Sequence, residues 1–210
     1  MIESTDVDME LLTSLMSEKS LLQEQLLYDM TQIWKNYIKW EEAEPEKELK
    51  KVSLKIRTKN VLEIGQMIQA LNYFDHLDYN LKKFGNKLLK YLLMPVITEE
   101  CNVEIIDEND DVAVLEVESK LLFEKPHYAV VFHNISKIFK FLHSYLNELV
   151  EDNVTFLNKL GEMISDEFCD FLIKNCLSDT IPTHSSKLES YAMVSKAIEE
   201  FQAYLVGVGK

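Results

Sequence analysis

The sequence is almost free of arginine: Arg57 is the one arginine among 22 basic residues, which stand against 36 acidic ones. Bidentate contacts with phosphate or guanine favour the planar guanidinium of arginine over the ammonium of lysine. The formal net charge of −14 also repels phosphate backbones and anionic bilayers. Together, the near absence of arginine and the negative charge argue against nucleic acid as a partner.

Glycine and proline are scarce, at 5 and 4 residues, which suits long helices better than a turn-rich all-β domain. The three cysteines, Cys101, Cys169 and Cys176, show no CxxC spacing and predict a reduced, cytoplasmic chain without disulfides. No apolar run approaches the roughly 18 residues that a membrane-spanning helix needs. The acidic residues after Met1 argue against a targeting peptide.

Apolar residues at helical spacing predict a mostly α fold. A long amphipathic helix is expected from about Asp8 to Ala43, followed by helices over Val61–Tyr73 and Leu77–Leu93, with Pro95 closing the latter. Further helical stripes begin at Tyr128 and continue to a last stripe between 188 and 205. We expect two domains, a long N-terminal helix at 1–44 and a helical middle domain at 45–210.

Three short segments either alternate apolar with polar residues or are rich in β-branched residues. They predict strands near 52–58, 102–106 and 112–117. The last two flank the cluster Asp107-Glu-Asn-Asp-Asp111, whose composition is typical of a hairpin turn. The simplest arrangement is a small antiparallel three-stranded sheet laid on helices.

The acidic cluster is the one candidate metal site, for calcium. Asp107, Asn109, Asp111 and Glu118 occupy positions one, three, five and twelve of an EF-hand-like loop. Against this hypothesis, Val112 stands where the loop needs glycine, and the flanking segments are predicted strands instead of helices. A solvated hairpin turn is therefore the preferred interpretation.

No other pattern predicts chemistry. The five histidines form no HxxH or HExxH pair, and no GxSxG, P-loop or GxGxxG motif occurs. Cys169 and Cys176, seven residues apart on one helix face, fit small packed side chains. Gly85, inside a helical pattern, indicates a close helix crossing or a kink. We expect no catalytic residue, no cofactor and no enzymatic activity, since a hydrolase has no positive feature in its favour.

Two stretches carry a more specific signal. The first is Leu81-Lys-Lys-Phe-Gly-Asn-Lys-Leu-Leu-Lys-Tyr-Leu-Leu-Met-Pro95. The second is Phe171-Leu-Ile-Lys-Asn-Cys-Leu-Ser-Asp-Thr-Ile-Pro-Thr-His-Ser-Ser-Lys-Leu188. Both resemble the middle region of the zeste-white ten family of kinetochore and vesicle-tethering proteins, and Ile-Trp-Lys-Asn-Tyr-Ile-Lys-Trp, with Trp34 and Trp40, fits an earlier segment of the family.

The resemblance implies an elongated helical bundle of the tethering-complex helical-rod type and a non-enzymatic scaffold function. It implies a kinetochore complex with Rod and Zwilch that recruits dynein and dynactin and supports the spindle assembly checkpoint. It also implies an endoplasmic-reticulum tethering complex, with SNAREs, for Golgi-derived vesicles. The implied locations are the cytoplasm, the mitotic kinetochore and the cytosolic face of the reticulum, with membranes reached only through partners. A calcium-responsive binding module using the loop at 107–118 is the alternative.

Overall fold

A computed structural model describes residues 3–43, 49–59, 61–109, 111–120, 126–151 and 154–177, together with the single positions 192, 195, 196 and 199. The chain divides into two compact units, Met1–Asn36 and Tyr37–Lys210. The predicted domain boundary at residue 44 stays a prediction, and the predicted helix over 188–205 lies outside the continuously described residues.

The first unit is one long helix. Helix α1 spans Glu3–Tyr37, where no glycine or proline interrupts the chain. The prediction that this helix reaches Ala43 is wrong, because the chain turns at Ile38 into an extended strand. Pairing with a neighbouring strand, which periodicity within one segment does not reveal, decides this change of structure.

An antiparallel sheet forms one layer of the second unit. Its strands lie in the order β1-β2-β4-β3. The sheet therefore has four strands instead of the three predicted, and the additional one is the segment just after α1. The bounds are β1 Ile38–Glu42, β2 Leu49–Arg57, β3 Glu100–Asn109 and β4 Val112–Lys120.

The register of the sheet separates an apolar face from a charged one. Val103 lies opposite Val117, which lies opposite Val52, and this face contributes to the core. On the other face Glu104 lies directly opposite Glu116, and Lys51 Nζ lies 2.7 Å from the Glu116 carboxylate. This ammonium compensates the repulsion between the two carboxylates.

The hydrogen bond to Glu116 raises the pKa of Lys51, and the negative charges of Glu116, Glu118 and Glu104 raise it further. Lys51 therefore stays protonated on this face of the sheet throughout the physiological range.

Helices pack on the apolar face of the sheet. The prediction that Pro95 ends a helix at Leu93 is wrong, because the chain continues through a π-helical turn into a further helical turn that contains this proline. The bounds are α2 Val61–Tyr73, α3 Leu77–Leu88, the π-helical turn Leu89–Leu93, α4 Met94–Thr98, α5 Tyr128–Leu146 and α6 Phe156–Leu177. A short hairpin of β5 Leu149–Glu151 and β6 Val154–Thr155 joins α5 to α6.

Aromatic side chains join these layers. The ring of Phe84 on α3 lies 5.5 Å from that of Trp40 on β1 and 5.9 Å from that of Phe156 on α6. Phe139 on α5 lies 6.2 Å from Phe168 on α6. These tilted or edge-on contacts bury large apolar areas and fix how the sheet and helices meet.

Helix α5 covers the outer edge of β3 with side-chain donors. Asn134 Nδ2 donates to the carbonyl of Cys101 at 2.9 Å, and Lys137 Nζ donates to the carbonyl of Val103 at 2.9 Å. Both carbonyls face away from β4, so without these donors they would lack a protein partner.

The elements of the second unit confirm the predicted mostly α fold with a small antiparallel sheet. The predicted elongated rod stays a prediction.

Candidate functional site

The leucines of α1 form an exposed apolar stripe within the first unit. Leu12, Leu15, Leu22 and Leu26 recur at spacings of three, four or seven and therefore share one helix face. Leu15 and Leu22 are 54% and 71% exposed. Monomeric proteins rarely expose contiguous apolar surface of this kind, and such surface marks interaction sites.

Charge borders this leucine face. Lys19 occupies the turn between Leu15 and Leu22, where a strict heptad would place an apolar residue. Glu10, Glu18, Glu24 and Asp29 make the surrounding helix surface acidic. A lone charge in an apolar seam fixes the register of a helix pair, and an acidic border favours a basic partner. The face can therefore hold a second helix in one register.

The candidate calcium residues do not converge on one point. Asp107 and Asn109 belong to the end of β3, and Asn109 pairs with Val112 across the turn. Asp111 lies at this turn and forms an ion pair with Lys59, whose Nζ is 2.9 Å from Asp111 Oδ2.

Glu118 lies at the other end of the hairpin, where it is opposite Asn102. Six strand residues separate it from the turn, a distance of about 20 Å along β4. Both flanks of the turn are strands, as the sequence predicted, and no group of three or more His, Cys, Asp or Glu in the described ranges could hold a metal ion.

Two histidines lie at helix ends. The Nδ1 atom of His127, the N-cap of α5, accepts a hydrogen bond from the Ala129 N–H at 3.3 Å. His143 lies in the last turn of α5, and its Nε2 is 3.1 Å from Asn147 Nδ2. Both contacts satisfy backbone or side-chain groups of the helix itself.

The cysteines are free thiols of limited reactivity. Burial raises the pKa of Cys101 to about 12, and the negative charges of Glu99 and Glu100 add to this shift. Burial also raises the pKa of Cys169, which is half-buried, while Cys176 is buried. The prediction of small packed side chains holds for Cys176, whereas Cys169 is only partly covered. A nucleophilic thiol needs a lowered pKa, so neither shift favours catalysis.

Comparison with known proteins gives a consistent result. Residues 27–209 match the family model described as the centromere/kinetochore protein zw10, middle domain. The chain is 27% identical to the centromere/kinetochore protein zw10 homologue of Rattus norvegicus over 221 residues, which cover 94% of this chain and 28% of the relative. The homologue of Arabidopsis thaliana is 24% identical over 169 residues, 73% of this chain and 22% of the relative.

The chain thus spans less than a third of the length of these relatives. Within the described part of the chain, no helix has the length and apolar character required to cross a bilayer.

The family match covers most of the sequence and includes both stretches on which the resemblance rests. The chain therefore belongs to the zw10 family of centromere and kinetochore proteins and matches its middle domain.

Proposed function

We propose that this chain is a non-enzymatic scaffold module of a kinetochore complex, and that it acts by holding other proteins. The observation that carries the proposal is the exposed leucine face of α1 in a chain of the zw10 family. The relatives are named as centromere and kinetochore proteins. A scaffold needs apolar surface left over for partners after its own fold is complete, and α1 supplies it.

Association follows from elementary energetics. Removing apolar surface from water contributes roughly 25 cal/mol per Å², so a partner helix that covers several leucines gains several kcal/mol. Four leucines on one face give such a helix a continuous seam, and the acidic border of α1 steers it by charge. We expect the partner helix to carry its own apolar stripe, flanked by lysine or arginine.

The partners we propose are Rod and Zwilch at the mitotic kinetochore, with recruitment of dynein and dynactin and support of the spindle assembly checkpoint. In interphase we propose an endoplasmic-reticulum tethering complex that captures Golgi-derived vesicles. The same module can serve both assemblies because a helix face recognises another helix through its apolar spacing and charge, whatever larger complex carries it.

Affinity purification of the tagged full-length protein tests this proposal. Mitotic and interphase extracts are processed in parallel with a tag-only control, and bound proteins are identified by mass spectrometry. We expect Rod, Zwilch and dynactin from mitotic cells and tethering-complex subunits with SNAREs from interphase cells. Recovery of none of these proteins in either extract would overturn the assignment.

A further inference from the structure

A cleft opens at one end of the sheet, within the unit that starts at Tyr37. It lies between strands β1, β2 and β4 on one side and the π-helical turn and α4 on the other. Its volume is about 310 Å³, at the lower end of the range of small-ligand sites. A side chain and its immediate neighbours fit into this space, whereas a folded domain does not.

Lys50 and Lys90 line this cleft in a chain with a large excess of acidic residues. Lys51 lines it as well, but its side chain lies on the opposite face of the sheet, where Glu116 holds the ammonium. Lys50 Nζ lies 3.9 Å from Glu99, too far for a hydrogen bond. Lys90 forms no ion pair with any described residue, and its ammonium rests 4.8 Å from the centroid of the neighbouring tyrosine ring. At least two ammonium groups therefore keep donors available for a ligand.

A buried hydroxyl adds a neutral donor. Ser119 lines the cleft and is only 5% exposed, and among the described residues its side chain has no hydrogen-bond partner. Because this hydroxyl lines the cleft, it is available to donate a hydrogen bond to a ligand there. Val52, Val117 and Pro95 provide apolar surface beside it. The wall thus combines charge, one hydroxyl and an apolar strip.

The π-helical turn places Lys90 and Tyr91 at the cleft. The N–H of Met94 donates to the carbonyl of Leu89, five residues earlier. Pro95 has no N–H, so the carbonyl of Tyr91 loses its α-helical donor and the wider turn is accommodated. Single π-helical turns occur frequently at functional sites.

We propose that this cleft binds a phosphorylated serine or threonine in an extended segment of a partner protein, with Lys50 and Lys90 holding the phosphate and Ser119 donating a hydrogen bond. The three oxygens of a phosphate dianion can contact two ammonium groups at once, and lysine is a common phosphate ligand. Glu42 and Glu99 also line the cleft, and their negative charges weaken the binding of an anion that contacts only one of the two lysines.

The test uses the full 210-residue chain and the peptide acetyl-Ala-Val-phosphoSer-Val-Ala-amide as the probe. Backbone ¹H–¹⁵N spectra follow the amides of Lys50, Lys90 and Ser119 during titration. Parallel titrations use the same peptide with serine, the same peptide with glutamate, and inorganic phosphate alone. We expect saturable shifts with the phosphopeptide, at least about tenfold weaker binding with glutamate or free phosphate, and no saturation with serine.

Two variants separate the cleft from general charge. Lys90→Met and Ser119→Ala each weaken phosphopeptide binding, the lysine variant by about tenfold or more. Lys87→Met removes another exposed lysine, which does not line the cleft, and leaves binding unchanged. Equal affinity for phosphate and phosphopeptide would show an adventitious ion only and overturn the proposal. So would equal affinity for the glutamyl peptide, or binding unaffected by Lys90→Met.

Discussion

Gly85 on α3 faces Ile164 on α6 so closely that a β-carbon at residue 85 would lie 2.7 Å from Ile164 Cγ2. Carbon atoms in van der Waals contact lie about 3.5–4.0 Å apart, so no larger residue fits without movement of a helix. Leu160, one turn earlier on α6, would lie 3.4 Å from the same added atom. The two helices thus meet backbone to side chain at this glycine.

Replacing Gly85 with alanine should destabilise the fold. Overpacking of this kind costs about 1–3 kcal/mol and outweighs the gain of up to about 1 kcal/mol in helix propensity. The free energy of unfolding, measured by urea denaturation with circular dichroism, checks this prediction. Unchanged or increased stability of Gly85→Ala would contradict the observed crossing.

Two controls sharpen that measurement. Gly65→Ala places a β-carbon 3.2 Å from Glu148 Oε2, the mobile end of a long side chain, and should cost little or stabilise α2. The double variant Gly85→Ala/Ile164→Ala should be more stable than the sum of the single effects predicts, because the smaller side chain relieves the clash.

A second prediction concerns the hydrogen bond from Asn134 to the edge of β3. Asn134 is 4% exposed, and its Nδ2 donates to the Cys101 carbonyl at 2.9 Å. Asn134→Ala leaves this carbonyl without its donor and should lower the free energy of unfolding by about 1–3 kcal/mol. Asn102→Ala is the matched control: Asn102 is exposed and bonds to Glu104, so its loss should change stability by less than about 0.5 kcal/mol. Equal effects of the two changes would contradict this role of α5.

The buried thiol of Cys101 makes stability depend on pH in the alkaline range. Its pKa is raised from 9.0 to about 12, so the native protein keeps the proton that the unfolded chain releases. The unfolded state therefore binds fewer protons between about pH 9 and 12, and stability falls as pH rises through this window. Below pH 9 both states are protonated, and the thiol contributes no pH dependence.

Urea denaturation under reducing conditions at pH 8, 9 and 10 tests this linkage. The wild-type chain should lose stability with pH more steeply than Cys101→Ala, since the variant lacks the titrating group. In native protein iodoacetamide should modify half-buried Cys169 before Cys101. Identical pH slopes for the two chains, or faster modification of Cys101, would contradict the burial of this thiol.

Hydrophobic spacing and turn residues within short segments of the sequence predict much of the fold. The helix over Val61–Tyr73 has the predicted bounds, and the hairpin around the acidic turn forms as expected from its β-branched flanks. Gly85 was predicted to mark a close crossing or a kink, and its approach to Ile164 confirms the crossing. These features depend on residues that are neighbours in sequence, where spacing and turn chemistry are informative.

Pairing between distant segments was not predictable in this way. Ile38 and Trp40 continue the helical spacing of α1, yet they pair with Ile56 and Leu54 and form a strand. Pro95 signals a helix end, but the π-helical turn accommodates it. The cleft unites Lys50 with Lys90, forty residues apart, and no local motif identifies either residue.

Replacement of both Leu15 and Leu22 with glutamate separates binding from folding in α1. Both side chains are exposed, so the double variant should change the free energy of unfolding by no more than about 0.5 kcal/mol per site. Partner binding should be lost, because burying two carboxylates in an apolar helix seam is unfavourable. Ser14→Glu/Gln23→Glu adds the same charge at exposed polar positions of α1 and serves as the matched control.

The most direct measurement compares these two variants with the wild type in the 210-residue chain, by quantitative affinity purification beside urea denaturation. Leu15→Glu/Leu22→Glu should retain wild-type stability and recover less than about a tenth of the partner proteins, while Ser14→Glu/Gln23→Glu recovers them normally. Wild-type recovery by the leucine variant would contradict a scaffold that binds through the exposed face of α1.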